Sequence, residues 1–256
     1  MQRSSGVLKN EENVIFALRS IYSKYGYVQY KMSKFEEYDL YVRNKDFLVS
    51  DNIITFTDTD GKLLALKPDV TLSIIKNSKD EPNSTRRVYY NENVYRVSKT
   101  DKSYKEIMQA GLECVGNIDD YCIYEVLLLA AKSLESISEN FVLDVSHAGI
   151  AERIISCMNA DAQTEKALVK CMAEKNVSEI KSLCLEKQLD GENLVKLVST
   201  YGNVDKVISF LMEIEDDEIK KEAQRLYRII NTLQEENKSF LNKIRIDFSK
   251  KNTGKP

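Results

Sequence analysis

The chain has 256 residues, of which 43% are hydrophobic and 30% are charged, and its formal net charge is −3. This composition is ordinary for a globular protein with one large domain or two small ones, and it lacks the positive excess typical of broad nucleic-acid-binding surfaces. The longest apolar run, residues 126–131, is too short to cross a bilayer, and residues 1–14 contain no apolar segment of a signal peptide. We therefore expect neither a membrane nor a nucleic-acid partner.

Cysteine and histidine usage argues against a metal site. The five cysteines show no CxxC spacing, and the chain contains a single histidine. Zinc sites usually need closely spaced pairs of these ligands, and an odd number of cysteines does not suit a disulfide scaffold. We expect no metal and no other cofactor. Free thiols also favour a cytoplasmic location.

The first half of the chain predicts a helix, a hairpin and a longer antiparallel pair of strands. Asn10 is a suitable N-cap for a helix with apolar residues at helical spacing. Residues 52–69 predict a β-hairpin around Asp-Thr-Asp-Gly, and Asp69 then stands where the N-cap of a second helix belongs. Residues 85–98 and 106–116 predict two strands joined by a short polar loop.

The second half changes character near Asn159. A helix from Asp119 or Asp120, a strand over residues 140–147 and another helix precede that point. After it, helical patterns alternate with breaks and show little strand signal; the breaks fall at Lys175-Asn176, Asp190-Gly191 and Tyr201-Gly202. A strand pattern returns at residues 242–249 and is followed by a polar tail.

Antiparallel strands with segregated helices predict an α+β fold and not a doubly wound α/β fold. We divide the chain into a core over residues 1–159, an all-helical insert over 160–241, and a returning strand with a disordered tail over 242–256. No Walker A or GxGxxG motif occurs in it.

The stretch EIMQAGLECVG, residues 106–116, has polar residues on one face of a predicted strand. On a strand, Gln109, Gly111 and Glu113 share one face, while the opposite face is mostly apolar and would suit a core. Gln109 and Glu113 would lie about 13 Å apart with the bare backbone of Gly111 between them, which suits a small zwitterionic ligand. From this segment alone, the simpler interpretation is an edge strand with one hydrated face.

Two segments favour a ligand site over a hydrated edge strand. Residues 86–116 resemble motif 2 of the class II aminoacyl-tRNA synthetases in its histidyl form, and LALKPDVT, residues 64–71, resembles the Leu-Arg-Pro-Glu/Asp-x-Thr element of that family. The resemblance covers about residues 6–159 and implies a class II synthetase-like core built on an antiparallel sheet. It further implies a histidine site and an anion contact, at Asp69, Thr71, Gln109 and Glu113 for histidine and at Arg96 for the anion.

Each of these residues also has a purely structural interpretation. Asp69 can cap a helix while keeping one oxygen for a ligand, and Glu113 can simply face water. Arg96 can form an ion pair with Glu92 or Glu106. The remaining polar residues near these motifs, Lys99, Lys102, Lys105 and His147, fit solvated loop residues and a satisfied strand end better than they fit ligand or catalytic groups.

The sequence departs from the synthetase pattern at several places. The synthetases have Arg, Glu and Gly in the first element, where this chain has Lys67, Asp69 and Val70. In the Gly-Arg-x-Arg-x-Phe run of the motif 2 loop, this chain has Ser103 and Lys105 in place of the two arginines and Ile107 in place of the phenylalanine. Lysine does not replace arginine in bidentate phosphate contacts, so these changes disfavour ATP binding at the loop. The sequence also contains no Arg-Gly-x-x-Tyr-Tyr element, no motif 3 and no anticodon-binding domain, which suggests a C-terminal truncation or a short member.

These departures resemble one branch of the family, the regulatory subunits of ATP phosphoribosyltransferase, and residues 32–77 are similar to that branch. The resemblance implies a subunit without catalytic activity, allosteric feedback inhibition by L-histidine, and a homodimer within a hetero-oligomer that contains the short-form catalytic subunit. Two alternatives stay open: a histidine-adenylating, synthetase-like protein or fragment, and an interaction module whose ligand site has decayed.

Overall fold

The computed structural model describes residues 9–43, 53–78, 84–98 and 101–248. The chain divides into two compact units, Met1–Ile137 and Ser138–Pro256. The three-segment division at residues 159 and 241 stays a prediction. Lys99 and the tail beyond residue 248 lie outside the described residues.

The first unit contains four helices and six strands among its described residues. In chain order these are α1 (Asn10–Lys24), β1 (Val28–Gln29), β2 (Phe35–Glu37), α2 (Tyr38–Arg43), β3 (Thr55–Thr57), β4 (Leu63–Leu66), α3 (Thr71–Lys76), β5 (Thr85–Val97), β6 (Tyr104–Gly116) and α4 (Asp120–Glu135). Asn10 is the first residue of α1 and Lys9 is its N-cap, so the predicted cap is displaced by one residue. Helix α4 begins at Asp120, which confirms the predicted start, and Asp119 caps it with a carboxylate that accepts from Cys122 N at 2.8 Å.

The predicted long antiparallel pair is confirmed. Strands β5 and β6 are 13 residues each and pair along their whole length, from Thr85 opposite Gly116 to Val97 opposite Tyr104. The short strand β1 lies parallel to β5 on its other side and completes a three-stranded sheet. This long ribbon presents the residues of β6 in a fixed register against those of β5.

The predicted hairpin is confirmed as β3 and β4. The carboxylate of Asp58 closes its turn by accepting from Asp60 N and Lys62 N, and Gly61 has a φ of 82°, which favours glycine. Strand β2 pairs with the other edge of β4, so that the order of this sheet is β2-β4-β3. The chain leaves β4 directly into the segment that begins α3.

Both faces of β6 contribute to the core, which differs from the one-sided expectation. Leu112 packs against a cluster that includes Leu18 and Leu129 under helices α1 and α4. On the other face, Ile107 and Val115 pack against a cluster that contains Val70, Ile74, Val88, Tyr90 and Val94. Met108, on the face expected to be buried, is half exposed. The polar residues of β6 therefore stand within a face that is otherwise packed.

The second unit is mostly helical. Its elements are β7 (Leu143–Val145), α5 (Ala148–Ser156), α6 (Ala162–Ala173), α7 (Val177–Lys187), α8 (Glu192–Ser199), α9 (Val204–Glu213), α10 (Asp217–Glu236), a 3-10 turn (Lys238–Phe240) and β8 (Ile244–Ile246). The three predicted breaks separate α6 to α9, and a fourth break before α10 was not predicted. Strands β7 and β8 pair in parallel, which confirms the predicted return to a strand after the helices.

Candidate ligand-binding site

The structure brings the predicted site residues together in the first unit. Gln109 and Glu113 come from the long strand β6, and Thr71 is the first residue of α3. The Thr71 hydroxyl donates a hydrogen bond to Glu113 Oε1 at 2.6 Å, across 42 residues of sequence. Asp69 lies close enough to Glu113 for its negative charge to raise the pKa of that carboxyl. The two sequence elements thus meet at one place.

Asp69 contributes to the start of α3 as predicted. The residue is buried, and its Oδ1 accepts from the backbone N–H of Leu72 at 3.3 Å. Val70 occupies the N-cap position itself, one residue later than expected. A carboxylate has several acceptor positions, so this contact leaves room for a second donor. The capping and ligand interpretations of Asp69 are therefore compatible.

Tyr90 is a site residue that the sequence reasoning missed. It lies directly opposite Gly111 in the β5–β6 pair, and its hydroxyl accepts from Gln109 Nε2 at 3.2 Å. A Cβ at position 111 would stand 2.6 Å from the Tyr90 hydroxyl oxygen. The backbone of Gly111 is therefore covered by a ring and is not the open floor that we expected. The signal was available in the sequence, because an antiparallel register places an aromatic residue opposite this glycine.

The site carries an uncompensated negative charge. Burial raises the pKa of Glu113, the hydrogen bond from Thr71 opposes that rise, and the charge of Asp69 adds to it. Burial also raises the pKa of the Tyr90 hydroxyl, and both carboxylates add to the effect. Among the described residues, neither Asp69 nor Glu113 forms an ion pair. Buried carboxylates of this kind favour a cationic or hydrogen-donating ligand.

Arg96 lies beside the site but forms neither of the ion pairs that we considered. Its Nε donates to the carbonyl of Pro68 at 3.0 Å, and its Nη2 donates to Gln109 Oε1 at 3.4 Å. Glu92 pairs with another residue, and Glu106 accepts from Asn93 and Tyr95. The guanidinium therefore joins the segment before α3 to strand β6, next to the two polar residues that would bind a ligand.

A buried ion pair forms beside this group. The ammonium of Lys67, whose side chain is 1% exposed, lies 2.5 Å from Glu92 Oε2. Lys67 stands where the synthetase pattern has arginine, and Glu92 faces Gln109 across the β5–β6 pair. Sequence reasoning had offered Glu92 as a partner for Arg96. The pairing with Lys67 was missed because 25 residues separate the two positions.

The loop between β5 and β6 satisfies its own polar groups where the structure describes it. Asp101 accepts from the backbone N–H and the hydroxyl of Ser103, and Lys105 pairs with Asp101 at 3.7 Å on the surface. Hydrogen bonds from the side chain of Ser98 and from the side chain and backbone of Ser103 hold the pKa of Asp101 well below its usual range. Lys105, the second residue of β6, is thus paired with a loop residue, and the absence of a ligand role for the lysines of this region stays a prediction.

His147 has a structural role in the second unit, as expected. It follows β7, caps α5 by accepting from Ile150 N at 3.2 Å, and lies 3.5 Å from Glu222. Within the ranges that the structure describes, no group of three or more His, Cys, Asp or Glu side chains is arranged to hold a metal ion. Over the same residues, no helix has both the length and the apolar stretch that a bilayer crossing requires.

Three features define a class II aminoacyl-tRNA synthetase-like core. The first is a long antiparallel pair of strands with Gln and Glu on one face, and the second is an acid and a threonine at the start of a short helix beside it. The third is a helical segment between two later strands. The sequence profile of the family described as Histidyl-tRNA synthetase matches residues 6–251, and the chain belongs to this family.

Relatives with two different names are similar to this chain. The ATP phosphoribosyltransferase regulatory subunit of Oceanobacillus iheyensis is 26% identical over 231 residues, which are 88% of this chain and 56% of that protein. The regulatory subunit of Caldanaerobacter subterraneus is 29% identical over 71% of this chain and 48% of its own length. The histidine–tRNA ligase of Methanocaldococcus jannaschii is 23% identical over 89% of this chain and 55% of that protein. The chain thus spans about half the length of these curated relatives.

Solved structures agree on the fold. An ATP phosphoribosyltransferase regulatory subunit/histidyl-tRNA synthetase from Bacillus halodurans superposes with a TM-score of 0.73 at 20% identity, covering 97% of this chain and 70% of that chain. A chain of the ATP phosphoribosyl transferase complex from Thermotoga maritima superposes with a TM-score of 0.66 at 21% identity, covering 97% of this chain and 84% of that chain. These matches confirm the predicted fold class.

Proposed function

We propose that this chain acts as a non-catalytic regulatory subunit of ATP phosphoribosyltransferase and binds L-histidine at Asp69, Thr71, Gln109 and Glu113. The observation that carries the proposal is that Glu113 accepts from the Thr71 hydroxyl within electrostatic reach of Asp69, and that neither carboxylate has an ion pair among the described residues. The names of several relatives point to the same role.

The chemistry of histidine complements each part of this site. Its α-ammonium group would be held by Asp69 and Thr71 and would balance one negative charge, and its imidazole N–H would donate a hydrogen bond to Glu113. Its carboxylate would find the guanidinium of Arg96, which already lies against Gln109. The Thr71 hydroxyl would then be shared between the ligand and Glu113. A ligand with two donors and one anionic group is the class that such a site selects.

The partner that we propose is the short-form catalytic subunit of ATP phosphoribosyltransferase, with this chain as a homodimer inside a hetero-oligomer. A fold match to a chain of the Thermotoga maritima complex supports this assignment. Feedback inhibition would follow if histidine binds two states of the assembly with different affinity, since allosteric coupling needs such a difference and usually amounts to about 1–3 kcal/mol. We infer a cytoplasmic location, which the five free cysteines support.

The alternative is histidine adenylation, since some relatives are named histidine–tRNA ligase. Adenylation requires the triphosphate charge to be held during the reaction. Ser103 and Lys105 stand where the synthetase loop has its two arginines, and Lys105 pairs with the loop residue Asp101. We therefore place adenylation second.

The test measures condensation of ATP with phosphoribosyl pyrophosphate by the catalytic subunit, with and without this chain, during a titration with histidine. We expect the chain to raise the rate and to confer inhibition by histidine. Glu113→Gln should keep the stimulation and lose the inhibition, while Glu106→Gln, an exposed carboxylate on the other face of β6, should behave as the wild type. No stimulation together with no co-elution would overturn the proposal. Histidine-dependent ATP–pyrophosphate exchange would favour the alternative.

A further inference from the structure

Two carboxylates hold the short helix α3 from different strands. Glu113 on β6 accepts from Thr71 at 2.6 Å, and Glu36 on β2 accepts from the hydroxyl of Ser73 at 2.7 Å. Thr71 and Ser73 are two residues apart on a helix of only six residues. A helix of this length is not stable by itself, so contacts with its surroundings determine where it lies.

The burial of Ser73 makes its hydrogen bond with Glu36 important for the stability of this region. Ser73 is 1% exposed, and a buried hydroxyl without a partner is costly. The Tyr30 hydroxyl lies 3.4 Å from Ser73 Oγ, so Glu36 at 2.7 Å is the closer of two partners. Around it, the Ser73 carbonyl accepts from the hydroxyl of Tyr30 at 3.2 Å and from Asn77 Nδ2 at 2.8 Å. A charged acceptor strengthens the hydrogen bond of the hydroxyl. Removing the Glu36 carboxylate would therefore weaken the main side-chain tether of α3 to β2.

A second contact joins Glu36 to Tyr41 of helix α2. The hydroxyl of Tyr41, which is fully buried, donates to Glu36 Oε2 at 3.3 Å. Burial raises the pKa of Tyr41, followed by the charge of Glu36 and then by that of Asp69. The Tyr41 hydroxyl thus lies within electrostatic reach of both carboxylates. Glu36 is thus hydrogen-bonded to Ser73 on α3, the helix that begins with Thr71, and to Tyr41 on α2, whose hydroxyl is within electrostatic reach of Asp69.

We propose that Glu36 is a positioning residue for the ligand site, which holds helix α3 in the place where Thr71 meets Glu113. The proposal rests on the histidine site proposed above. Glu36 does not touch the ligand in this scheme; it acts through Ser73 and Tyr41. Two hydrogen bonds, Glu36–Ser73 and Thr71–Glu113, thus connect strand β2 to strand β6 through the backbone of helix α3.

Strand β2 supplies a matched control. Glu37 is the next residue, so it points to the opposite face of the strand. It is exposed and forms a surface ion pair with Lys62 at 2.9 Å. The same substitution at Glu37 changes the charge and the strand propensity equally, without touching α3.

The experiment compares Glu36→Met, Glu36→Gln, Ser73→Ala and Glu37→Met by calorimetric histidine binding and by amide hydrogen exchange of residues 71–76. We expect Glu36→Met to weaken histidine binding about tenfold and to speed exchange in α3, since it removes both acceptors at similar size. Glu36→Gln keeps one carbonyl acceptor and should restore most of the affinity. Glu37→Met should change neither measurement. The double variant Glu36→Met/Ser73→Ala should bind no worse than the weaker single variant, because both remove the same contact.

Unchanged binding and unchanged α3 exchange in Glu36→Met would overturn the proposal, as would strictly additive effects in the double variant. If Glu36→Met fails to fold, Ser73→Ala alone tests the proposal. Wild-type histidine affinity and wild-type α3 exchange in Ser73→Ala would then overturn it. A wild-type chain that binds no histidine overturns the proposed function instead, and the α3 exchange rates still decide whether Glu36 positions this helix.

Discussion

Tyr90 and Gly111 face each other across the long antiparallel pair, and the tyrosine ring occupies the space that a side chain at position 111 would need. The glycine thus allows an aromatic residue to lie across the strand, between Gln109 and Glu113. The Tyr90 ring is held beside the proposed ligand site, because it is buried and its hydroxyl accepts from Gln109. Packing of the Tyr90 ring therefore explains Gly111, whereas the proposed ligand site explains the polar residues Gln109 and Glu113.

Gly111→Ala should lower the free energy of unfolding by about 1–3 kcal/mol, because overpacking a filled site forces side chains from their preferred positions. The added Cβ would meet the Tyr90 hydroxyl at 2.6 Å and the ring carbon behind it at 2.7 Å. Urea denaturation of the variant measures the loss. In a Tyr90→Ala background the same substitution should cost much less, since the ring is absent. An equal loss in both backgrounds would mean that the ring is not the cause.

Glu113 should make the free energy of unfolding depend on pH, and a neutral substitution at this position should remove that dependence. Its folded pKa is raised above the usual 4.5, so the folded state favours the protonated carboxyl. This contribution is fully present below pH 4.5 and is lost as the pH rises through the raised value. Glu113→Gln should therefore be more stable than the wild type at pH 7, with the difference shrinking towards pH 4. Urea denaturation at several pH values measures it.

Glu106 is the control for this pH dependence, because its pKa is lowered by hydrogen bonds from Asn93 and Tyr95. Its contribution has the opposite sign: it is present above the unfolded pKa and is lost as the pH falls. Glu106→Gln should accordingly lose stability relative to the wild type at pH 7. If Glu113→Gln behaved in the same way as Glu106→Gln, the carboxyl of Glu113 would not be destabilised by its surroundings.

Local features of the sequence predicted much of the secondary structure. The start of α4 at Asp119 or Asp120 and the hairpin around the Asp58–Gly61 turn were predicted, because the interactions that fix them lie within a few residues. The strands β1 and β2 were missed because they are two and three residues long and carry no alternation of their own. They exist because longer strands offer them partners, which is information that a short window does not contain.

The site itself was predictable only in part. The family motifs brought Asp69, Thr71 and Glu113 to attention, and the contact of Thr71 with Glu113 shows that the two motifs meet. The residues that hold these groups in place were missed. Glu36 reaches Ser73 across 37 positions of sequence, and such distant pairs follow from packing, which one sequence does not reveal. The apolar alternation of β6 also misled, because both of its faces are partly covered.

Breaking the buried pair of Lys67 and Glu92 should destabilise the first unit. Lys67→Met leaves the Glu92 carboxylate without its partner beside Gln109, and an uncompensated buried charge costs up to about 3 kcal/mol. The double variant Lys67→Met/Glu92→Leu should recover most of the loss, since no unpaired charge remains. Thermal or urea unfolding measures both. The surface pair of Lys62 and Glu37 is the control, and Lys62→Met should change stability by less than about 1 kcal/mol.

Arg96 should distinguish ligands by their carboxylate. Histidine should stabilise the wild type against heat, by about 2.7 kcal/mol at a concentration one hundred times its dissociation constant. Histidinol lacks the carboxylate and should bind more weakly. Because the guanidinium lies against Gln109 and the Pro68 carbonyl, Arg96→Met should reduce histidine affinity towards that of histidinol.

The affinity for histidinol is the internal control of the Arg96→Met experiment, because a ligand without a carboxylate loses nothing when the guanidinium is removed. Calorimetric titration of both ligands into both proteins gives four dissociation constants and one coupling value. A coupling near zero, with both ligands weakened equally, would mean that Arg96 supports the segment before α3 and does not contact the ligand. A large coupling would assign the anion contact to Arg96, since only the carboxylate differs between the two ligands at that end.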